Sequence, residues 1–211
     1  MNLLFDLDGT LTDSFQGITK CIQHALVSLD RPEPPAESLR WCIGPSLKES
    51  FTKLLGAQDE SLVDEAIDLY RERFGSIGLY ENKVYPTIEE TLHELKEGGH
   101  HLCVATSKPT VFARRILHHF DLASYFSTID GSELNGVRCD KASLIAHIIA
   151  RDAMIPADTV MIGDREHDMI GACRNGIAGW GVLWGYGSRE ELDAAGACAC
   201  IETPGDVCKK M

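Results

Sequence analysis

From Val84 to the C-terminus, short apolar runs alternate with amphipathic stretches. That alternation constrains the fold more than any other feature of the chain. Runs at 101–106, near 126–130, and at 159–163, 177–182 and 197–201 read as strands. Helical periodicity fills 87–97, 110–118, 141–151, 166–174 and 189–194 between them. Strands separated by helices pair in parallel and bury both faces, so the expected architecture is α/β: a Rossmann-like parallel sheet with helices on both faces. One more apolar run, Leu3-Leu4-Phe5, opens the chain.

Residues 15–83 have a different texture. Phe15, Ile18, Ile22, Leu26 and Leu29 recur at helical spacing behind Ser14, which is expected to act as an N-cap. A second helix is expected from Ala36 or Glu37 to Cys42. Two more are expected over 46–55 and 60–74, carrying Leu47, Phe51, Val63, Ile67, Tyr70 and Phe74. Trp41 and Leu47 are assigned to the core of this block. The expected organisation is thus a core domain of 1–14 and 84–211, interrupted by an inserted α-helical cap domain of 15–83.

The chemistry-bearing residues stand where the strands end. The first run ends in Asp6-Leu7-Asp8-Gly9, two carboxylates placed i, i+2 ahead of a turn-forming glycine. The run at 101–106 ends in Thr106-Ser107-Lys108, and the run at 159–163 in Gly163-Asp164, with Asp168 four residues on. Lys141 opens the helix between them. Taken singly, each has a plain structural reading as a turn, a helix cap or a surface lysine. Ligands of open parallel sheets sit beyond the carboxyl ends of the strands, so their joint occurrence there points to one site. Hydroxyl, ammonium and carboxylate groups together suit phosphoryl transfer. Thr106, the turn at Ser107 and Lys141 can meet phosphate oxygens, while Asp6 and Asp164 suit a hard cation such as Mg²⁺.

Composition narrows the partners. The formal charge is −12 over 211 residues, with no basic stripe, which argues against a nucleic acid polymer but leaves room for a small phosphorylated metabolite. The eight cysteines form no C-x-x-C pair and are read as reduced. With no signal-peptide pattern at Met1 and no membrane-length apolar run, a cytoplasmic location without membrane partners is expected. A monomer or homodimer is expected.

The set Asp6-Leu7-Asp8-Gly9-Thr10, Thr106, Lys141 and Gly163-Asp164-Arg165-Glu166-His167-Asp168 resembles the haloacid dehalogenase superfamily over nearly the whole chain. Within it, 163–168 and 181–188 are similar to the phosphoglycolate phosphatase-like or 5′-nucleotidase-like branch with a helical cap of the first type. The resemblance implies a Mg²⁺-dependent phosphatase of small phosphate monoesters. Asp6 would be the nucleophile that becomes an aspartyl phosphate, and Asp8 the acid and base. Thr106 and Lys141 would hold the phosphoryl group, with Gly9 and Ser107 also at the phosphate. The metal would be bound by Asp6, Asp8 (through its carbonyl) and Asp164, with Asp168 supporting the metal or Lys141. A phosphomutase of the β-phosphoglucomutase type and a non-catalytic phosphate-sensing protein are the alternatives. Arg165 and His167 are left outside the catalytic set. Phe15, Gly44 and Lys48 are the candidate specificity residues of the cap, Lys48 as a partner for a substrate carboxylate or second phosphate.

Overall fold

The apolar run that opens the chain forms β1 (Asn2–Phe5), and it lies inside the sheet, hydrogen-bonded in parallel to a strand on each side. In this computed structural model residues 1–56 and 60–211 are described. The chain divides into two compact units, Met1–Asp13 with Val84–Met211, and Ser14–Lys83.

After β1 come β2 (Thr12–Asp13) and the helical unit, with α1 (Phe15–Ser28), α2 (Leu47–Leu55) and α3 (Glu60–Ser76). The two-residue β3 (Lys83–Val84) pairs with β2. The sheet-forming part continues through α4 (Ile88–Glu97), β4 (His101–Pro109), α5 (Thr110–His119), β5 (Thr128–Ser132) and α6 (Lys141–Arg151). It ends with β6 (Thr159–Gly163), α7 (Glu166–Arg174), β7 (Ala178–Val182), α8 (Arg189–Ala194), β8 (Ala199–Ile201) and α9 (Gly205–Lys209).

The six-stranded sheet runs β5-β4-β1-β6-β7-β8, and each neighbouring pair is parallel. The expected parallel α/β architecture is therefore the observed one. Because chain order reverses beside β1, the ends of β1, β4 and β6 flank a topological switch point, where such sheets bind ligands. Register aligns these ends: Phe5 lies opposite Val104 on one side and Ile162 on the other.

Alternation along β1 supplies both faces of the core. Leu4 is fully buried among Cys103, Ala105, Met161 and residues of α6 and α7, including Leu144, Ile145, Ile148 and Ala172. Phe5 points to the other face, its ring meeting that of Phe126 edge-on at 6.1 Å. Among the described residues, no helix is long and apolar enough to cross a membrane.

In the helical unit, α1 packs against α3, and Phe51, Tyr70 and Phe74 form a buried aromatic row. Gly17 of α1 lies so close to the backbone at Gly78 that a Cβ would come within 2.1 Å of its carbonyl oxygen.

Four local expectations are corrected. The segment Ala36–Cys42 is a 3₁₀ helix, bounded by Pro35 and the extended backbone of Ile43. Its three-residue period turns Leu39 and Cys42 inward and leaves Trp41, expected in the core, 36% exposed with Lys53 Nζ 5.5 Å from its ring centroid. Ser14 sits at the N-cap position of α1 but its side chain makes no capping hydrogen bond, because its φ of −93° and ψ of 8° depart from the extended cap conformation. Strand boundaries also shift: β4 continues to Pro109, and β5 starts at Thr128 after a 3₁₀ turn over Ala123–Tyr125.

Because Leu4 bridges β1 to the helices that carry Lys141 and Asp168, Leu4→Ala is expected to cost about 2–5 kcal/mol of unfolding free energy. Urea denaturation followed by circular dichroism measures this.

Candidate active site

The loop beyond β1 is wound tightly upon itself. Asp6 N–H continues the sheet by donating to Ile162 O at 2.9 Å, and Leu7 O then accepts from the amides of Leu11 and Thr12 at 2.9 and 3.0 Å. Gly9 has a φ of +87°, and a Cβ there would lie 2.1 Å from Asp164 Oδ2. Only glycine satisfies both demands. The Gly9 amide donates to Thr12 O at 2.8 Å, so this glycine provides space for Asp164 and closes the turn.

Lys141 begins α6, whose N-terminus is capped by Asp140 accepting from Ser143 N at 2.9 Å. Its Nζ lies 2.9 Å from Asp6 Oδ1 and 2.7 Å from Asp168 Oδ1, and donates to Ala105 O at 2.8 Å. Burial alone would lower the ammonium's pKa, but the Asp168 and Asp6 carboxylates outweigh it and raise the value above the ordinary lysine range. Lys141 is therefore a fixed positive charge. Gly171 on α7 makes room for its stem, since a Cβ there would lie 2.9 Å from Lys141 Cγ.

At the end of β4, Thr106 is buried and its Oγ1 accepts from Lys108 N at 3.3 Å. Ser107 O accepts from Ser132 Oγ at 2.9 Å. Lys108 reaches Asp8, Nζ to Oδ2 at 2.9 Å. The strand-end position of this lysine assigns it no role by itself, because spacing along a strand does not reveal which acid a long side chain meets.

Asp164, after β6, is fully buried. Its Oδ2 accepts from Tyr186 N at 2.8 Å and its Oδ1 from Thr10 Oγ1 at 3.4 Å. The segment 184–187 closes over it: Trp184 Nε1 donates to Thr10 O at 2.9 Å and Tyr186 Oη to Asp13 Oδ1 at 2.8 Å. A Cβ on Gly185 would lie 2.4 Å from both Asp164 Cβ and Gly9 O. Trp184, Tyr186 and Thr10 are a supporting layer that no motif in the sequence reading assigned. Arg165 pairs with Glu191 of α8 at 2.8 Å, which also accepts from Glu166 N.

Carboxylate oxygens of Asp6, Asp164 and Asp168 all lie within 4.8 Å of one another, and all three residues are buried. Burial, with the charges of Asp168 and Asp6 beside it, pushes the Asp164 carboxyl well above the usual range. Burial likewise raises Asp168 to about 6, against the opposing pull of Lys141. Counting Asp8, four carboxylates face two ammonium groups, Lys141 and Lys108, so full ionisation leaves two uncompensated negative charges. An all-oxygen donor set with that deficit fits a hard divalent cation.

A second grouping, His101, Cys103 and Asp152, does not fit a metal as well. Both Asp152 oxygens accept from Arg151 at 2.8 Å, His101 Nδ1 is 3.2 Å from Ser127 Oγ, and burial raises the Cys103 thiol away from the thiolate that a metal needs.

The three candidate specificity residues belong to the other unit. Phe15 is half-buried at the start of α1, and Gly44 has a φ of +111°. Lys48 is exposed on α2, where its partner is a protein carboxylate, Glu60, at 3.1 Å.

Residues 3–182 match the family model of haloacid dehalogenase-like hydrolases. The chain belongs to that family. A 5′-nucleotidase of Pseudomonas aeruginosa is 49% identical, over 92% of this chain and 87% of its own. The tyrosine-protein kinase PtkA of Mycobacterium tuberculosis is 38% identical over 90% of this chain, which spans 65% of the kinase. Among solved structures, a predicted phosphatase from Clostridium acetobutylicum superposes with a TM-score of 0.95 at 46% identity, covering 99% of this chain and 96% of that one. This haloacid dehalogenase-like hydrolase is a phosphatase, a phosphoric monoester hydrolase.

The raised carboxyls give the metal-free hydrolase a definite pH response. Asp168, at about 6 folded against 3.8 unfolded, stabilises the fold fully below the unfolded value, and that stability is lost as pH rises through about 6. Asp164 shifts in the same direction. A divalent cation held by these carboxylates would relieve the same repulsion, so addition of Mg²⁺ is expected to raise Tm more at pH 8 than at pH 5. Each kcal/mol corresponds to roughly 2–4 °C. Thermal unfolding at both pH values, with Mg²⁺ or with EDTA, checks the expectation. In Asp164→Asn the pH dependence of the Mg²⁺ increment should flatten.

Proposed function

We propose that this phosphatase hydrolyses small phosphate monoesters through an aspartyl phosphate on Asp6, with Mg²⁺ as cofactor, and that nucleoside 5′-monophosphates are its first substrate candidates. The observation that carries the reading is the division of charge at the end of β1: Lys141 is paired with Asp6 and Asp168, while Asp8 is paired separately with Lys108.

A nucleophilic carboxylate must be ionised, exposed to the phosphorus on one side and held on the other. The Lys141 ammonium serves the last requirement for Asp6 and keeps the charge in place. Asp8 stands two residues on, beyond the strand, where it can protonate the leaving alkoxide and afterwards accept a proton from the hydrolytic water. The Thr106 hydroxyl and the turn at Ser107 offer donors to the phosphoryl oxygens, whose charge Lys141 offsets. Asp6, Asp164 and the Asp8 carbonyl would hold the Mg²⁺, with Asp168 supporting Lys141. When bound, the cation supplies charge neutralisation for the transferring phosphoryl group.

We rank nucleoside 5′-monophosphates ahead of phosphoglycolate, sugar phosphates and phosphotyrosine, a ranking supported by the likeness to a 5′-nucleotidase. The helical unit is assigned the selection of the non-reacting part of the substrate, with Phe15, Gly44 and Lys48 as the residues to vary first. The eight cysteines, none in a disulfide among the described residues, accord with a reducing, cytoplasmic setting.

The test is steady-state phosphate release from those four substrate classes, with Mg²⁺ or EDTA, by the wild type and Asp6→Asn. Loss of Asp6 is expected to lower kcat at least about 10³-fold. Quenched wild-type enzyme should carry one phosphate of added mass on the peptide containing Asp6. Undiminished Asp6→Asn activity would rule out the nucleophile. Turnover that requires a bisphosphate primer would favour a phosphomutase, and a wild type silent on all esters would favour a phosphate sensor.

A further inference from the structure

We propose that Lys108 is a positioning residue for Asp8, holding one carboxylate oxygen so that the other delivers the proton to the leaving group. The inference rests on the assignment of Asp8 as the proton-transferring acid.

Lys108 and Asp8 form a buried pair: their side chains are 6% and 11% exposed, with Nζ 2.9 Å from Oδ2. Buried ion pairs contribute little net stability, because desolvation offsets most of the attraction. Fixing a lysine side chain also sacrifices rotamer entropy. A pair of this kind is poorly explained by stability alone.

The backbone of Lys108 is shaped for the contact. Pairing of β4 with β5 shifts register between Thr106 and Pro109, so the strand end bends at Ser107 and Lys108. Thr106 Oγ1 accepts the Lys108 amide, and Ser132 Oγ holds the preceding carbonyl. Across the sheet, Gly131 is so close that a Cβ there would lie 2.2 Å from Lys108 O. The bend therefore needs a residue without a side chain on β5. With the backbone fixed at these points, the ammonium position is fixed too.

The consequence falls on Asp8. Its Oδ2 is held by Lys108, whereas its Oδ1 is buried and accepts no hydrogen bond among the described residues. Lys108 thereby sets the carboxyl torsion and leaves Oδ1 as the oxygen that carries the transferable proton. In the first chemical step the Asp6–phosphorus bond forms and the phosphorus–ester oxygen bond breaks. Its electron pair goes to the ester oxygen, which takes the proton from Asp8 Oδ1. Lys141, occupied by Asp6 and Asp168, leaves this task to Lys108.

A proton donor matters most when the leaving group is a poor one, which separates positioning of Asp8 from general structural support. The experiment compares 4-nitrophenyl, phenyl and 4-methoxyphenyl phosphate, three esters of similar shape whose leaving groups grow poorer in that order. The readout is kcat/KM, which reports steps through departure of the alcohol and so excludes hydrolysis of the aspartyl phosphate. Lys108→Met is expected to lower kcat/KM for the two poorer esters on the order of 10²-fold, and for the 4-nitrophenyl ester less than about 10-fold. Asp8→Asn should show the same selective pattern. Lys108→Arg should recover most of the loss on phenyl phosphate, and Lys108→Gln, which keeps a polar but uncharged end, carries the comparison if the Met variant does not fold. An equal loss on all three esters, or a raised KM with unchanged kcat, in a folded Lys108 variant would overturn the proposal while leaving the phosphatase reading intact. If Asp8→Asn itself shows no selectivity, the assignment of Asp8 fails and the proposal with it.

Discussion

The Lys141 ammonium is the interaction on which the site depends. It lies within 2.9 Å of carboxylates on two different elements, Asp6 after β1 and Asp168 on α7, and donates to the backbone of β4. Without a buried cation, two acids at such distances in a low-dielectric interior would repel or take up protons. Lys141 offsets that repulsion and ties β1, β4, α6 and α7 together at the end of the sheet where ligands bind. Its pKa is raised by the carboxylates beside it against the effect of burial, whereas burial is the largest cause of the raised values of Asp164 and Asp168.

Space is the second constraint. Asp164 is enclosed by backbone that has no room for side chains: Gly9 on one side, Gly185 on another, and Gly187, where a Cβ would lie 2.0 Å from the Asp164 carbonyl oxygen. The approach allows Tyr186 N–H and Thr10 Oγ1 to reach the carboxylate, and Trp184 and Tyr186 then secure the loop after β1 from outside. Close packing and hydrogen bonding hold the acids together despite their mutual repulsion.

Much of the fold was legible because buried parallel strands and amphipathic helices leave strong periodic signals. The bounds of β6, α7 and α8 agree residue for residue with the apolar patterns at 159–163, 166–174 and 189–194. Where a segment is short, tertiary packing takes over. The strands β2 and β3 have two residues each and no period to read, α9 has five residues, and the 3₁₀ segment before Ile43 turns Trp41 outward against the hydrophobic pattern.

Local sequence is enough to specify which chemical groups stand at the strand ends, since Asp6, Thr106 and Asp164 close apolar runs whose character is local. Tertiary structure decided how those groups are paired. That Lys141 serves Asp6 and Asp168 while Lys108 serves Asp8, and that the Gly9 amide closes its own turn, depends on the register between β1, β4 and β6 and on the bend of β4 beside Gly131. The reason is physical: a residue's position along a strand follows from its neighbours in sequence, whereas the reach of a lysine is long enough to meet several acids. Only the packed backbone selects which one it meets.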